Sequence, residues 1–439
     1  MKLRTAAAAT LAVAGLAGGY PASSSTAGAA ASAPNDNAVV YWSEVAEGAI
    51  SANPTPPPPP AAPGFRTPAS STVLAGMVHG AMYDAVASVL GGLEPFATAV
   101  RAPAGASADA AVGQAARDVL VARVPGQAAN VQTAYDAFMA GIPDGAAETA
   151  GKAVGAAVAA EMLAWRAGDH YDDVVPYVQQ APGPGVFEPI APTTPVDTRL
   201  PYVSPFTYTG PSYRPDAPYR DDLADALSTR RYGRDVAELK ALGGATGSSR
   251  TPEQTETAFF HSAPTFVQFS RGLRALVSTE ALDLRESARL LGYTWVATGD
   301  TMIACWEAKY HYRFWRPNHA IQRADNDGNP ATTPDATWLP LITGNHPEYP
   351  SGHACVTAGI STSLEQYFGT DKVDLTLPGL SPLGGPARTY QDLDDLVEDV
   401  ENARVWGGLH YRTTMVETAK HFPRIAKDVG KHYFLQHRG

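Results

Sequence analysis

Cysteine is scarce in this chain of 439 residues, which contains only Cys305 and Cys355. So few cysteines exclude a fold that is held together mainly by disulfide bonds, and they leave open whether the two pair or stay as buried thiols.

Charged residues make up only 18%, and acidic residues outnumber basic ones by 44 to 33. The formal net charge of −11 argues against a nucleic-acid partner, because phosphate binding needs a basic face. A small cationic pocket inside an acidic shell is still allowed.

Long apolar runs are missing after the N-terminus. Residues 1–4 read M-K-L-R, and an apolar run over residues 5–19 is followed by small residues with candidate cleavage sites at A-G-A and A-S-A. This pattern predicts a signal peptide over residues 1–33, and hence an exported protein, whereas the alternative is a disordered alanine-rich terminus. No later run approaches the roughly twenty apolar residues that a membrane span needs, so we expect no membrane span.

Apolar residues recur with helical spacing along most of the chain. The predicted helices cover residues 70–90, 106–124, 128–140, 146–166, 235–242, 252–260, 263–276, 284–310, 351–368, 390–405 and 413–434. A proline-rich stretch (53–64) and a long Pro- and Tyr-rich loop (168–220) interrupt them, and no strand pattern is convincing. The sequence predicts an all-α protein with an N-terminal helical region over 34–220 and a C-terminal helical bundle over 221–439.

Three short segments carry candidate functional residues. They read K-Y-H-Y-R-F-W-R-P at 309–317, P-S-G-H at 350–353 and A-R-V-W-G-G-L-H at 403–410. Each has an ordinary structural explanation on its own, since cations at a helix end are usually solvated and a serine at a helix start is usually the N-cap. Together they provide one lysine, two arginines, two histidines and a Ser-Gly pair at a helix N-terminus, where free N–H groups bind anions. This set predicts a site for a tetrahedral oxyanion.

The three patterns K-x6-R-P, P-S-G-H and (S/A)-R-x5-H, in this order, resemble the superfamily shared by vanadium-dependent haloperoxidases and type 2 phosphatidic acid phosphatases. The resemblance covers about residues 284–422 and implies a fold of helical bundles. Two positions depart from the pattern: Ala403 stands in place of a serine, and Thr414 stands where the phosphatase pattern H-x-x-x-D, and some haloperoxidases, have an aspartate. A tryptophan three residues before the lysine, Trp306, is similar to the soluble haloperoxidases, in which it forms a wall of the halide pocket.

The resemblance implies a vanadate cofactor, and as substrates hydrogen peroxide, a halide and a small organic acceptor. The implied vanadate-binding residues are Lys309, Arg316, Ser351, Gly352, Arg404 and His410. Among them, His410 is implied to coordinate vanadium at the apical position and Lys309 to polarise the bound peroxide, while His353 moves protons. His346 occupies a position where fungal chloroperoxidases have phenylalanine and algal bromoperoxidases have histidine, which favours bromide and iodide. The alternative for His346 is a loop histidine in contact with Glu348.

Two other functions remain open. An exported acid phosphatase would use His410 as the nucleophile and His353 to protonate the leaving oxygen. Thr414 argues against it, because the missing aspartate normally orients the histidine. A non-catalytic anion-binding relative is the third alternative, although every anion-contacting position is present. The sequence contains no H-E-x-x-H zinc motif, and its P-S-G-H segment is not a G-x-S-x-G elbow.

Overall fold

The computed structural model of the protein describes residues 37–52, 67–190, 194–218 and 226–436. The predicted signal peptide, the proline-rich stretch and the predicted boundary between residues 220 and 221 all lie outside these residues. Within the described part, α-helices form most of the regular structure, so the all-α prediction is confirmed.

The connections between the helices differ in length, and the long ones include the loop after the fifth helix and the segment between Gln322 and Gly352. They are α1 (Ala38–Ser51), α2 (Pro68–Leu90), α3 (Ala108–Arg123), α4 (Ala128–Met139), α5 (Ala146–Trp165), α6 (Arg230–Leu242), α7 (Pro252–Phe260), α8 (Thr265–Thr279), α9 (Leu284–Tyr312), α10 (Pro317–Gln322), α11 (Gly352–Phe368), α12 (Leu393–Trp406), α13 (Arg412–His421) and α14 (Pro423–His432). Helices α1 and α10 were not predicted from the sequence. The single helix predicted over 413–434 is two helices, because Pro423 has no N–H to continue the hydrogen-bond ladder and instead begins α14.

A small antiparallel hairpin is the one place where the described residues depart from the absence of strands. Strand β1 (Leu375–Leu377) pairs with β2 (Arg388–Tyr390), and β1 packs against α8. Leu375 and Leu377 are buried there while Thr376 is exposed. Three residues are too few to show a sequence alternation, which is why the pattern was missed.

Helices α2 and α9 pack along each other at the centre of the molecule, and α11 packs on the other side of α9. Gly76 permits the first contact, because an added Cβ would lie 2.9 Å from the ring of Phe206 and 3.2 Å from the carbonyl oxygen of Trp295. Among the described residues, α2 alone has the length and mean hydropathy (1.4) of a membrane span, which the sequence analysis had not identified. Because 83% of its most apolar window is buried inside the molecule, α2 has the character of a core helix.

Hydrogen bonds attach the long loop after α5 to α9. The buried carboxylate of Asp300 accepts hydrogen bonds from the backbone N–H groups of Phe206 (2.6 Å) and Thr207 (3.0 Å). Further along α9, the carbonyl oxygen of Val196 accepts hydrogen bonds from the Tyr310 hydroxyl (2.6 Å) and the Trp306 indole (3.5 Å). The loop therefore crosses α9 where the predicted site residues begin.

Candidate active site

Lys309 lies in the last turn of α9 and is fully buried. Its ammonium donates hydrogen bonds to the carbonyl oxygens of Pro347 and Glu348, at 3.0 Å each, and of Pro350. Burial holds the pKa of Lys309 well below its usual value, and the nearby charge of Arg316 lowers it further. The segment that leads into the P-S-G-H motif thus fixes the lysine at the site.

Arg316 immediately precedes α10 and is almost fully buried. Its Nε donates to the carbonyl oxygen of His346 (2.7 Å), and its Nη1 donates to the carbonyl oxygen of Leu409 (2.8 Å) and lies 3.3 Å from Nε2 of His410. Burial lowers the pKa of Arg316 to about 10, although the charge of Glu348 opposes this shift. Arg316 therefore links the segment that precedes P-S-G-H, at His346, to the third sequence motif.

The P-S-G-H segment forms the N-terminus of α11, as predicted. Ser351 is the N-cap, and its hydroxyl accepts a hydrogen bond from the N–H of Ala354 (3.4 Å). At Gly352 an added Cβ would lie 2.9 Å from the Trp306 ring, so only glycine lets the helix start this close to α9. The Nε2 atom of His353 is buried and has no hydrogen-bond partner among the described residues. Burial, followed by the charge of Arg404, holds the pKa of His353 well below its usual value.

His410 is held by a buried carboxylate that the sequence analysis did not assign to the site. Its Nδ1 lies 2.8 Å from Oε1 of Glu348, while the Thr414 hydroxyl donates to Oε2 at 2.8 Å. Burial raises the pKa of Glu348 to about 7, although the charge of Arg316 and the hydrogen bond from Thr414 oppose this shift. The signal that could have identified Glu348 is a lone acidic residue three positions before the serine of P-S-G-H, among the candidate cations.

Arg404, in the last turn of α12, reaches the same region from a third helix. Its Nη1 donates to the carbonyl oxygen of His261 (3.0 Å). The His261 ring is itself buried, with Nε2 at 3.0 Å from the Tyr390 hydroxyl and 3.1 Å from the Asp399 carboxylate. His261 is a second contact that sequence analysis missed, since it lies outside all three motifs.

The two predicted halide-pocket residues do lie together. The rings of Trp306 and His346 are 5.2 Å apart between centroids and tilted by 39°. Nη2 of Arg316 lies 2.8 and 3.1 Å from the two ring nitrogens of His346. Among the described residues, the ring's hydrogen-bond contacts are therefore with Arg316 and the carbonyl oxygen of Pro347, not with Glu348 or His353.

The two cysteines form a disulfide bond between Cys305 in α9 and Cys355 in α11, with Cα atoms 6.4 Å apart. Cys305 lies four residues before Lys309, and Cys355 lies two residues after His353. The bond thus links the helix that carries the lysine to the helix that begins at the P-S-G-H motif.

The charge balance of the site suits an oxyanion such as vanadate. Lys309, Arg316 and Arg404 are buried near one another, and Glu348, when ionised, supplies one negative charge beside Lys309 and Arg316. Buried charges are costly unless they are paired, so this arrangement favours an anion with two or more negative charges. The Nε2 atom of His353, which has no partner in the described part of the chain, provides a further polar group for such an anion.

Comparisons with known proteins agree with this architecture. The sequence model of the VCPO second helical-bundle domain matches residues 289–438. The structure is similar to that of a bacterial vanadium-dependent iodoperoxidase, with a TM-score of 0.72, 18% identity, and coverage of 91% of this chain and 97% of that one. It is also similar to a holo-type bacterial vanadium-dependent chloroperoxidase, with a TM-score of 0.69, 17% identity, and coverage of 88% and 96%. Among curated proteins, no sequence matches significantly. The chain therefore has the vanadium haloperoxidase-type fold, and its residues 289–438 match the sequence model of the VCPO second helical-bundle domain.

Proposed function

We propose that the protein is a vanadate-dependent haloperoxidase that oxidises a halide with hydrogen peroxide and halogenates an organic acceptor. The observation that carries this proposal is the buried group of three cations, Lys309, Arg316 and Arg404, with the carboxylate of Glu348 beside the first two. The fold similarity to a bacterial iodoperoxidase and a bacterial chloroperoxidase, both vanadium-dependent, supports it.

The two arginines and the start of α11 are proposed to hold the oxyanion. Arg316 and Arg404 approach from different segments, and the N-terminus of α11 presents the Ser351 hydroxyl and the Gly352 N–H. Lys309 is proposed to act mainly through its charge, because all three of its N–H groups are directed at carbonyl oxygens. Bound vanadate would supply Lewis acidity that activates hydrogen peroxide toward attack by the halide.

The two histidines are proposed to have different roles. The Nε2 atom of His410 faces Arg316 and is the atom that would coordinate vanadium. His353, with its unpartnered Nε2 and its lowered pKa, would be neutral near neutral pH and able to accept a proton from the incoming peroxide.

We further propose a preference for bromide and iodide over chloride. Trp306 and His346 are proposed to line the halide site, because their rings lie together and the imidazole of His346 contacts Arg316. A polar ring at this position retains water and favours the more weakly hydrated halides. We also propose export through the N-terminal segment, which N-terminal sequencing of protein from the culture medium would test.

A phosphatase is the second candidate, and one observation favours it. The sequence argument against it was the missing aspartate at Thr414, yet the carboxylate of Glu348 contacts His410 at 2.8 Å. A histidine oriented in this way would also serve as a nucleophile toward phosphorus. The absence of aspartate at this position therefore does not discriminate between the two activities.

The test begins with metal-free protein. Orthovanadate is titrated by calorimetry, and bromination of a phenol-type dye is followed with peroxide and bromide, with and without vanadate and with competing phosphate. Hydrolysis of an aryl phosphate is measured in parallel without vanadate. We expect vanadate-dependent bromination that phosphate inhibits, and Arg404→Ala should weaken vanadate binding whereas Arg271→Ala, a substitution in the Glu47 ion pair, should not. Bromination without vanadate would refute the proposal, and efficient phosphate-ester hydrolysis without bromination would favour the phosphatase.

A further inference from the structure

We propose that Glu348 is the positioning residue for His410, and that its carboxylate takes the place of the aspartate that the phosphatase pattern carries at position 414. The inference rests on the proposed function for the role of His410, but the contacts from which it is argued are independent of any ligand.

The carboxylate of Glu348 is fully buried, and both of its oxygens have partners. Oε1 accepts hydrogen bonds from Nδ1 of His410 (2.8 Å) and from the backbone N–H of Tyr411 (3.2 Å). Oε2 accepts the hydroxyl proton of Thr414 at 2.8 Å. These contacts leave the carboxylate a single orientation, with one oxygen directed at the imidazole.

This contact decides which nitrogen of His410 carries the proton. When Glu348 is ionised, its carboxylate can only accept, so Nδ1 of His410 is then the protonated nitrogen. Nε2 then has the lone pair, in agreement with Arg316, whose Nη1–H points at Nε2 from 3.3 Å. A lone pair at Nε2, directed toward the buried cations, is what coordination of vanadium requires.

The position of Glu348 accounts for the presence of threonine instead of aspartate at position 414. An aspartate at position 414 would place a second carboxylate beside Glu348 in a fully buried space, where two like charges repel. A threonine instead donates a hydrogen bond to the existing carboxylate. The departure of Thr414 from the phosphatase pattern is thus a consequence of supplying the carboxylate from a different segment of the chain.

Glu348 also connects the histidine to the lysine. Its backbone carbonyl accepts a hydrogen bond from Lys309 at 3.0 Å, while its side chain holds His410. One residue therefore sets the position of two of the groups proposed to surround the oxyanion.

The experiment moves the carboxylate from one position to the other. Glu348→Ala, Thr414→Asp and the double variant are compared with the wild type, and Glu47→Gln serves as a control for loss of a buried carboxylate in the α1–α8 ion pairs. The protonated nitrogen of His410 is read from ¹⁵N NMR, with the signal assigned by its loss in His410→Ala. Vanadate and phosphate affinities are measured by calorimetry, and circular dichroism monitors the fold.

We expect Glu348→Ala to lose the Nδ1-protonated signal of His410 and to bind vanadate about 10- to 100-fold more weakly. The double variant should recover both properties, Thr414→Asp alone should weaken binding through repulsion, and Glu47→Gln should match the wild type. If Glu348→Ala does not fold, Glu348→Met, which keeps a similar length but lacks the oxygens that accept these hydrogen bonds, is measured in the same way.

An unchanged His410 signal with unchanged vanadate affinity in Glu348→Ala or Glu348→Met would overturn the inference. A double variant as weak as Glu348→Ala would overturn the equivalence of the two carboxylate positions. Should the wild type bind neither vanadate nor phosphate, the proposed function fails, whereas the NMR comparison still decides the role of Glu348.

Discussion

Removal of the disulfide between Cys305 and Cys355 should cost a large part of the stability of the protein. The bond closes a loop with a sequence separation of 50 residues. The loss of chain entropy in the unfolded state predicts a stabilisation of about 4 kcal/mol for a loop of this length. Since domains are stable by only about 5–15 kcal/mol, the change should be large in any unfolding measurement.

The assay is urea unfolding of the wild type, with and without a thiol reductant, and of the Cys305→Ala/Cys355→Ala variant. Reduced wild type and variant should both lose stability, and the reductant should leave the variant unchanged. The bond joins α9 to α11, so the variant should also bind vanadate more weakly, measured without any thiol present. A difference below about 1 kcal/mol between oxidised and reduced wild type would refute the reasoning, because loop entropy alone exceeds that value.

Three further substitutions test the site and the loop that crosses it. His410→Ala should weaken vanadate affinity by more than about 100-fold, which exceeds the effect of losing a residue that only positions a ligand. The helical circular dichroism spectrum should be unchanged, and near-normal bromination would contradict the role of His410. His346→Phe should shift the ratio of bromination to chlorination several-fold toward chloride, because an apolar ring replaces one that contacts Arg316. An unchanged ratio across pH 5–8 would show that His346 does not select the halide. Asp300→Ala should lower the free energy of unfolding by roughly 2–4 kcal/mol, because the N–H groups of Phe206 and Thr207 lose their buried acceptor. Denaturant unfolding measures this change.

Local signals in the sequence were enough for most of the helices. The predicted starts and ends of α4, α5 and α7 differ from the structure by at most one residue. Caps and proline breaks act within a few residues, so their effect is visible in the chain itself. Helix α1 was not predicted even though the proline-rich stretch that begins at residue 53 marks its C-terminal end, and its burial depends on contacts with α2, α3 and α8.

The sequence by itself determined the types of residue at the site, their order and the start of α11 at the P-S-G-H segment. The tertiary structure alone decided which of them touch. Glu348 reaches His410 across 62 positions of the chain, and His261 reaches Arg404 across 143. Whether Cys305 and Cys355 pair was likewise open until α9 and α11 were placed side by side. The physical reason is that spacing within one helix follows a fixed period, whereas a contact between distant segments depends on how all the helices pack together.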